Sequence, residues 1–89
     1  MNASLIPVQV LYFASVRERM GLSSEKVMVP EGACVSALRQ QLCARGEASQ
    51  QALSLQKGLR VAVNQVMVQD DVSLNAGDEV AFFPPVTGG

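Results

Sequence analysis

Residues 77–89 read GDEVAFFPPVTGG, a strand-like segment followed by an ending that adds little to a fold. Glu79–Phe83 is predicted to be the last strand, because it is apolar and because Pro84 and Pro85 cannot donate hydrogen bonds in a β-ladder. The two final glycines bury nothing and lose the most backbone entropy when they are ordered. We therefore predict that the Gly89 carboxylate is the working group, carried on a flexible tail over residues 84–89.

The tail composition suits entry into a narrow site on another protein. Val86, Thr87, Gly88 and Gly89 can extend roughly 13 to 14 Å beyond Pro85, at about 3.3 to 3.6 Å per residue. Glycine at the last two positions keeps the chain thin, so Gly88 is predicted to thread beside the reactive Gly89. The prolines fix φ near −65° and direct the chain away from the sheet.

Composition sets limits on the rest of the protein. The chain has 89 residues, 48% of them hydrophobic, which predicts one globular domain over residues 1–89. Seven basic and eight acidic residues nearly cancel, and the lysines and arginines are scattered rather than clustered, so no nucleic-acid partner is expected. Residues 1–7 lack the features of a secretory signal and no segment has the length of a membrane span, so we expect a cytoplasmic protein without a membrane partner.

The sequence contains no histidine, which removes the usual general base and the commonest metal ligand. Cys34 and Cys43 match neither a CxxC nor a zinc spacing and are predicted to be free thiols. The acidic pairs Asp70-Asp71 and Asp78-Glu79 show no converging ligands. We therefore predict no metal site and no catalysis by this chain alone.

The main helix is predicted at Cys34–Arg45, where Val35, Leu38 and Leu42 recur at spacings of three and four. Gly46 is the expected C-terminal cap, and Arg45 would lie in the last turn.

The remaining segments surround this helix. Strands are predicted at Val8–Ala14 after Pro7, at Ser24–Pro30, at Arg60–Val68 with a turn at Asn64-Gln65, and at Glu79–Phe83. Ser15–Gly21 is predicted to be a helical turn or structured loop, Ala48–Leu55 a short helix, and residues 75–78 a turn. The fold class is therefore α+β, a mixed sheet of four to five strands with one main helix packed on it.

This order, with a protruding Gly-Gly end, resembles the ubiquitin-like β-grasp fold, and the local sequence is similar to the small subunit of molybdopterin synthase. The residues that carry the resemblance are 11–14 (LYFA), 16–18 (VRE), 37–39 (ALR), 63–65 (VNQ) and 77–89. The last block is the most specific, whereas residues 22–33 and 46–58 match the family poorly.

The resemblance implies a sulfur carrier. In this family an adenylating enzyme resembling ubiquitin activators forms an acyl-adenylate on the terminal glycine, which corresponds to Gly89. Sulfur from a donor protein replaces AMP to give a thiocarboxylate, so AMP and sulfur are only transient and no cofactor is held permanently. The carrier docks on the large synthase subunit, in a heterotetramer, and delivers sulfur to cyclic pyranopterin monophosphate.

Docking is expected to involve more than the tail. Ordering four tail residues costs about 4 to 8 kcal/mol, whereas burying one large apolar side chain contributes about 1.5 to 3 kcal/mol. Phe13, Met67 and Phe83 are the predicted partner-binding residues of the domain, together with Pro84, Pro85, Val86 and Thr87 of the tail. The alternative for Phe13, Met67 and Phe83 is that they are ordinary core residues.

Two other functions remain open. One is a sulfur carrier for thiamine thiazole synthesis, although such relatives are usually shorter and lack the double proline. The other is a ubiquitin-like modifier, or an interaction module, whose tail is joined to lysines or is idle.

Overall fold

The computed structural model describes residues 4–53, 58–69 and 71–84. These residues form a five-stranded mixed sheet in the order β2-β1-β5-β3-β4, with three helices. The bounds are β1 Leu5–Tyr12, α1 Ala14–Met20, β2 Ser24–Pro30, α2 Val35–Cys43, α3 Glu47–Leu53, β3 Arg60–Val63, β4 Val66–Val68 and β5 Glu79–Phe83. The two central strands, β1 and β5, are parallel, and the other neighbouring pairs are antiparallel. The predicted α+β class is confirmed.

Several predicted elements agree closely with the structure. β2 and β5 have the predicted bounds, and Gly21, with a φ of 80°, is the left-handed cap that follows α1. Asn64 and Gln65 have φ values of 52° and 70°, the positive values that a two-residue hairpin of type I′ requires. α3 corresponds to the short helix predicted at Ala48–Leu55, of which residues 54 and 55 lie outside the described ranges.

β1 begins earlier than predicted, so Pro7 lies inside the strand and not before it. The Pro7 carbonyl accepts a hydrogen bond of 2.8 Å from the Gly77 N–H, which lies just before β5. A strand residue directs its N and its carbonyl to the same side, so the missing donor of Pro7 points away from β2. The proline therefore costs no hydrogen bond between β1 and β2.

The predicted end of the main helix is wrong. α2 stops at Cys43 with Ala44 as its cap, and Gly46 lies two residues beyond that cap, immediately before α3. Arg45 is consequently outside the helix. Its guanidinium donates to both carboxylate oxygens of Glu25 on β2, at 2.7 and 2.8 Å, and this ion pair replaces the predicted interaction with the helix dipole.

The core lies between one face of the sheet and the helices. Fully or nearly fully buried side chains come from both layers: Val8, Val10, Tyr12, Val27, Val29, Val80 and Phe82 from the sheet, and Val16, Val35, Leu38, Leu42, Ala52 and Leu53 from the helices. The Tyr12 hydroxyl donates to Glu25 at 2.7 Å. Burial, and then this carboxylate, raise the pKa of Tyr12, which keeps the phenol protonated as a donor.

A segment before β5 anchors the start of α2. Asp71 accepts hydrogen bonds from the Ser36 N–H at 2.9 Å and from the Ser36 hydroxyl at 2.5 Å. Cys34, the N-cap residue, makes no side-chain capping bond. Asp71 therefore satisfies the helix N-terminus from a distant part of the chain. Asp78 has a similar structural role, since it accepts from the Asn75 N–H at 2.8 Å within the predicted turn.

The Asp71 cap predicts a pH-dependent contribution to stability. The hydrogen bonds from Ser36 lower the pKa of Asp71 below its ordinary value, so the stabilisation is present above the unfolded pKa and is lost as the pH falls through the folded pKa. Asp71→Asn should therefore lower the free energy of unfolding at neutral pH. The difference from the wild type should shrink below about pH 4, as measured by urea denaturation over a pH series.

Glu18→Gln is the matched control, because Glu18 is an exposed carboxylate that makes no side-chain hydrogen bond within the described ranges. A difference for Asp71→Asn that persists unchanged at the lowest pH where both proteins fold would contradict the charged cap.

Candidate docking face and tail root

The sheet has a second face, opposite the core, which we call the outer face. Successive side chains of a strand alternate between faces, so Val80 and Phe82 of β5 point into the core whereas Ala81 and Phe83 lie on the outer face. Strand register aligns Leu11 with Ala81 and Ala81 with Ala62 across the middle of the sheet. Ala62 and Ala81 are only 8% exposed, yet neither belongs to the core cluster. The outer face is therefore apolar near its middle.

An apolar patch extends from this row to the end of β5. It consists of Leu11, Phe13, Ala62, Met67, Ala81 and Phe83. Met67 of β4 aligns with Ala62 and is 48% exposed. Sequence reasoning found Phe13, Met67 and Phe83 and missed Leu11, Ala62 and Ala81, because these three are assigned to the outer face only when the strand pairing is known.

Phe13 was predicted on the first strand, but it lies one residue beyond β1 as the N-cap residue of α1. Its N–H donates to the Phe82 carbonyl at 3.2 Å, and Ala14 then turns the chain with a φ of 52°. The Phe13 side chain is 48% exposed, and its ring lies edge-on to Phe83 with centroids 6.4 Å apart. The two rings thus form one surface at the end of β5.

Phe83 and Pro84 form the tail root, the point where the chain leaves the sheet. Phe83 is the last residue of β5 and is half-buried, and Pro84 follows outside the strand as predicted. Pro85, Val86, Thr87, Gly88 and Gly89 lie outside the described residues. The structure therefore describes the base of the predicted tail and the surface around that base.

The core alternative for Phe13, Met67 and Phe83 does not hold. None of the three is in the buried cluster, and two of them are half exposed. Met67 and Phe83 lie on the outer face, two strand spacings apart in the order β5-β3-β4, and the Phe13 ring contacts Phe83 at the end of β5. Surface position leaves these residues available to a partner.

Other kinds of site were sought in the same residues. Across residues 4–53, 58–69 and 71–84, no three His, Cys, Asp or Glu side chains are grouped as metal ligands would be. Cys34 and Cys43 are free and half-buried. No helix in the described part of the chain is long and apolar enough to cross a membrane.

A small α+β domain with an apolar face beside the end of its last strand places this chain in the class of ubiquitin-like proteins, and comparison with known proteins gives its family. The family model described as the ThiS family matches residues 10–89. This chain belongs to the ThiS family.

Individual proteins similar to this chain are more specific than the family model. The molybdopterin synthase sulfur carrier subunit of Escherichia coli is 48% identical over 83 residues, which cover 92% of this chain and 99% of that protein. Among solved structures, a putative molybdopterin converting factor subunit 1 from Pyrococcus furiosus has a TM-score of 0.69 and 30% identity, covering 91% of this chain and 99% of that one. Small archaeal modifier protein 1 of Haloferax volcanii has a TM-score of 0.78 and 26% identity, with 91% and 99% covered. The expected β-grasp fold is confirmed.

The two adjacent phenylalanines of β5 give a test of the assignment of the faces. Phe82 is fully buried and stacks on Tyr12, with centroids 6.3 Å apart, so Phe82→Ala should cost about 3 to 5 kcal/mol of unfolding free energy. Phe83→Ala should cost much less, because that side chain already contacts solvent. Urea denaturation of both variants measures the difference, and equal losses would return Phe83 to the core.

Proposed function

We propose that this chain is a sulfur carrier in molybdenum cofactor biosynthesis, the small subunit of a molybdopterin synthase. The observation that carries the proposal is the 48% identity to the Escherichia coli molybdopterin synthase sulfur carrier subunit, over nearly the whole of both chains. The name of that relative also favours the molybdenum cofactor pathway over thiamine thiazole synthesis.

The proposed working group is the Gly89 carboxylate. An α-carboxylate has a pKa near 3.5 and is anionic at neutral pH, so its carbon is a poor electrophile. In the proposed reaction a carboxylate oxygen attacks the α-phosphorus of ATP and pyrophosphate leaves. Sulfide (HS⁻) supplied by the sulfur-donating protein then attacks the acyl carbon, the bond from that carbon to the AMP oxygen breaks and AMP leaves, which gives the thiocarboxylate. AMP and sulfur are thus carried only transiently on Gly89 and are not resident cofactors.

The proposal assigns recognition to the apolar patch. A protein that holds the tail must come close to the tail root, and Phe83 and Phe13 form the adjacent surface. Because these side chains are already about half-buried, covering each of them would contribute about half of the 1.5 to 3 kcal/mol expected for a fully exposed side chain, which offsets part of the cost of ordering the tail. Pro84 would direct the tail away from β5, and Gly88 would let it thread into the partner.

Three partners follow from this cycle. They are an adenylating enzyme resembling ubiquitin activators, a sulfur-donating protein and the large synthase subunit. We place the cycle in the cytoplasm, with two large subunits at the centre of a heterotetramer. The chain supplies the reactive terminus and has no turnover of its own.

The proposed role of the Gly89 terminus can be tested by mass spectrometry. Intact-protein mass spectrometry of the chain, expressed with its activating proteins, should detect a species in which one oxygen is replaced by sulfur, and fragmentation should place the change at Gly89. A variant with one residue added after Gly89 is the control, since its terminal carboxylate is displaced from the activating site. Sulfur incorporation or restored molybdenum cofactor synthesis in that variant would contradict the proposed role.

The proposed docking of the apolar patch on the large subunit can be tested by mutation. Phe83→Ala should weaken binding to the large subunit by roughly tenfold or more, because it removes a contact beside the tail root. Leu5→Ala is the matched control, since Leu5 is 57% exposed on the outer face but lies at the opposite end of β1. Isothermal titration calorimetry measures both affinities. Unchanged affinity for Phe83→Ala would remove the patch from the interface.

One observation favours a second candidate function. The structural similarity to small archaeal modifier protein 1, with a TM-score of 0.78, is compatible with a chain that is conjugated to other proteins. A modifier would join its terminal carbonyl to a lysine amine, so the same mass spectrometry would find isopeptide-linked adducts in place of the thiocarboxylate.

A further inference from the structure

Arg60 is a charged residue at the border of the apolar patch. Arg60 is the first residue of β3, is exposed, and aligns with Phe83 of β5. The alternation of side chains along β3 places Arg60 on the outer face together with Ala62, whereas Val61 is among the hydrophobic residues packed against the core. The side chain of Arg60 therefore begins on the outer face, directly beside the tail root.

Arg60 has no acidic partner in the described part of the chain. The ion pair found among residues 4–53, 58–69 and 71–84 joins Arg45 to Glu25. Asp71 and Arg60 line one groove between α2 and the β3–β4 hairpin. Both carboxylate oxygens of Asp71, however, accept hydrogen bonds from Ser36. Within the described ranges, no carboxylate therefore forms an ion pair with the Arg60 guanidinium.

Covering Phe83 brings a protein surface over Arg60. Neighbouring strands are only about 4.8 Å apart, so a protein that contacts Phe83 on β5 also lies over the adjacent position on β3. A guanidinium that loses water without gaining a partner is costly, and charges buried at interfaces are therefore paired. Arginine also offers a planar donor pair that matches a carboxylate.

We infer that the surface of the large subunit that receives the tail carries an Asp or Glu side chain opposite Arg60, next to the apolar site for Phe83. This inference rests on the proposed function. The large subunit is chosen over the adenylating enzyme because the named relative is itself a synthase subunit, so the synthase is the assembly in which this face is expected to be most extensively covered.

The pair would also contribute to specificity. A small carrier with an apolar or acidic residue at this position would leave the carboxylate of the large subunit unpaired or repelled. An unfavourable element of this kind is one way in which a protein discriminates between chains with similar tails.

The test compares Arg60→Leu, Arg60→Glu and Lys26→Glu in the full chain. Affinity for the large subunit is measured by calorimetry between low and high salt. Arg60→Leu should weaken binding about tenfold at low salt and reduce its salt dependence, and Arg60→Glu should weaken it by about a hundredfold or more.

Lys26→Glu makes the same change of charge on the outer face of β2, three strands from β3, and should have a much smaller effect. Thermal unfolding of each variant verifies that the domain is intact. Restoration of Arg60→Glu binding by an acidic-to-Lys substitution in the large subunit would identify the partner residue.

The possible failures are distinguishable. If the wild-type chain binds the large subunit and Arg60→Glu binds equally well, this inference is overturned and the proposed function stands. If Arg60→Glu impairs only adenylation, the contact belongs to the activating enzyme and the inference is again wrong. If the wild-type chain neither binds the large subunit nor acquires sulfur, the proposed function fails and the inference fails with it.

Discussion

The parallel pairing of β1 with β5 is the constraint on which the rest of this structure depends. It joins the start of the chain to its last strand, with Tyr12 aligned with Phe82 at the end where the tail begins. Because the strands are parallel, Phe13 follows β1 at the same end of the sheet where Phe83 ends β5, and their rings meet. The tail root is thereby attached to a central strand rather than to an edge, so the base of the tail is held by hydrogen bonds on both sides of β5.

This arrangement separates stability from recognition within a single strand. Phe82 is fully buried and stacks on Tyr12, whereas Phe83 faces the opposite side. A change at one position therefore affects the fold and a change at the next affects the surface, although the two residues are identical and adjacent. Ala62 and Ala81 have small side chains that protrude little from the outer face. A partner surface can therefore approach the sheet closely between Leu11 and Met67.

Local sequence rules predicted those features whose cause is local. The bounds of β2 and β5 follow from prolines and β-branched residues, and the Asn64-Gln65 turn follows from the residues that tolerate positive φ. The errors arose where distant residues decide. Gly46 was predicted to cap α2, but the helix ends earlier, and the adjacent Arg45 pairs with Glu25 on β2. Pro7 lies within β1, where its carbonyl accepts a hydrogen bond from the Gly77 N–H, and that contact depends on the β1–β5 pairing.

The same reasoning explains why the candidate site was only partly visible in the sequence. Phe13, Met67 and Phe83 are large apolar residues near the tail or in strands, so composition and the family resemblance were enough to select them. Arg60 has no such signal, because a single arginine at the start of a strand is ordinarily solvated. It becomes informative only through its alignment with Phe83, which places a charge beside the tail root. Under the proposed function the reactive group is a bare terminus, so selectivity has to come from the surface around the tail root, and there Arg60 would add charge to a patch otherwise recognised by shape and hydrophobicity.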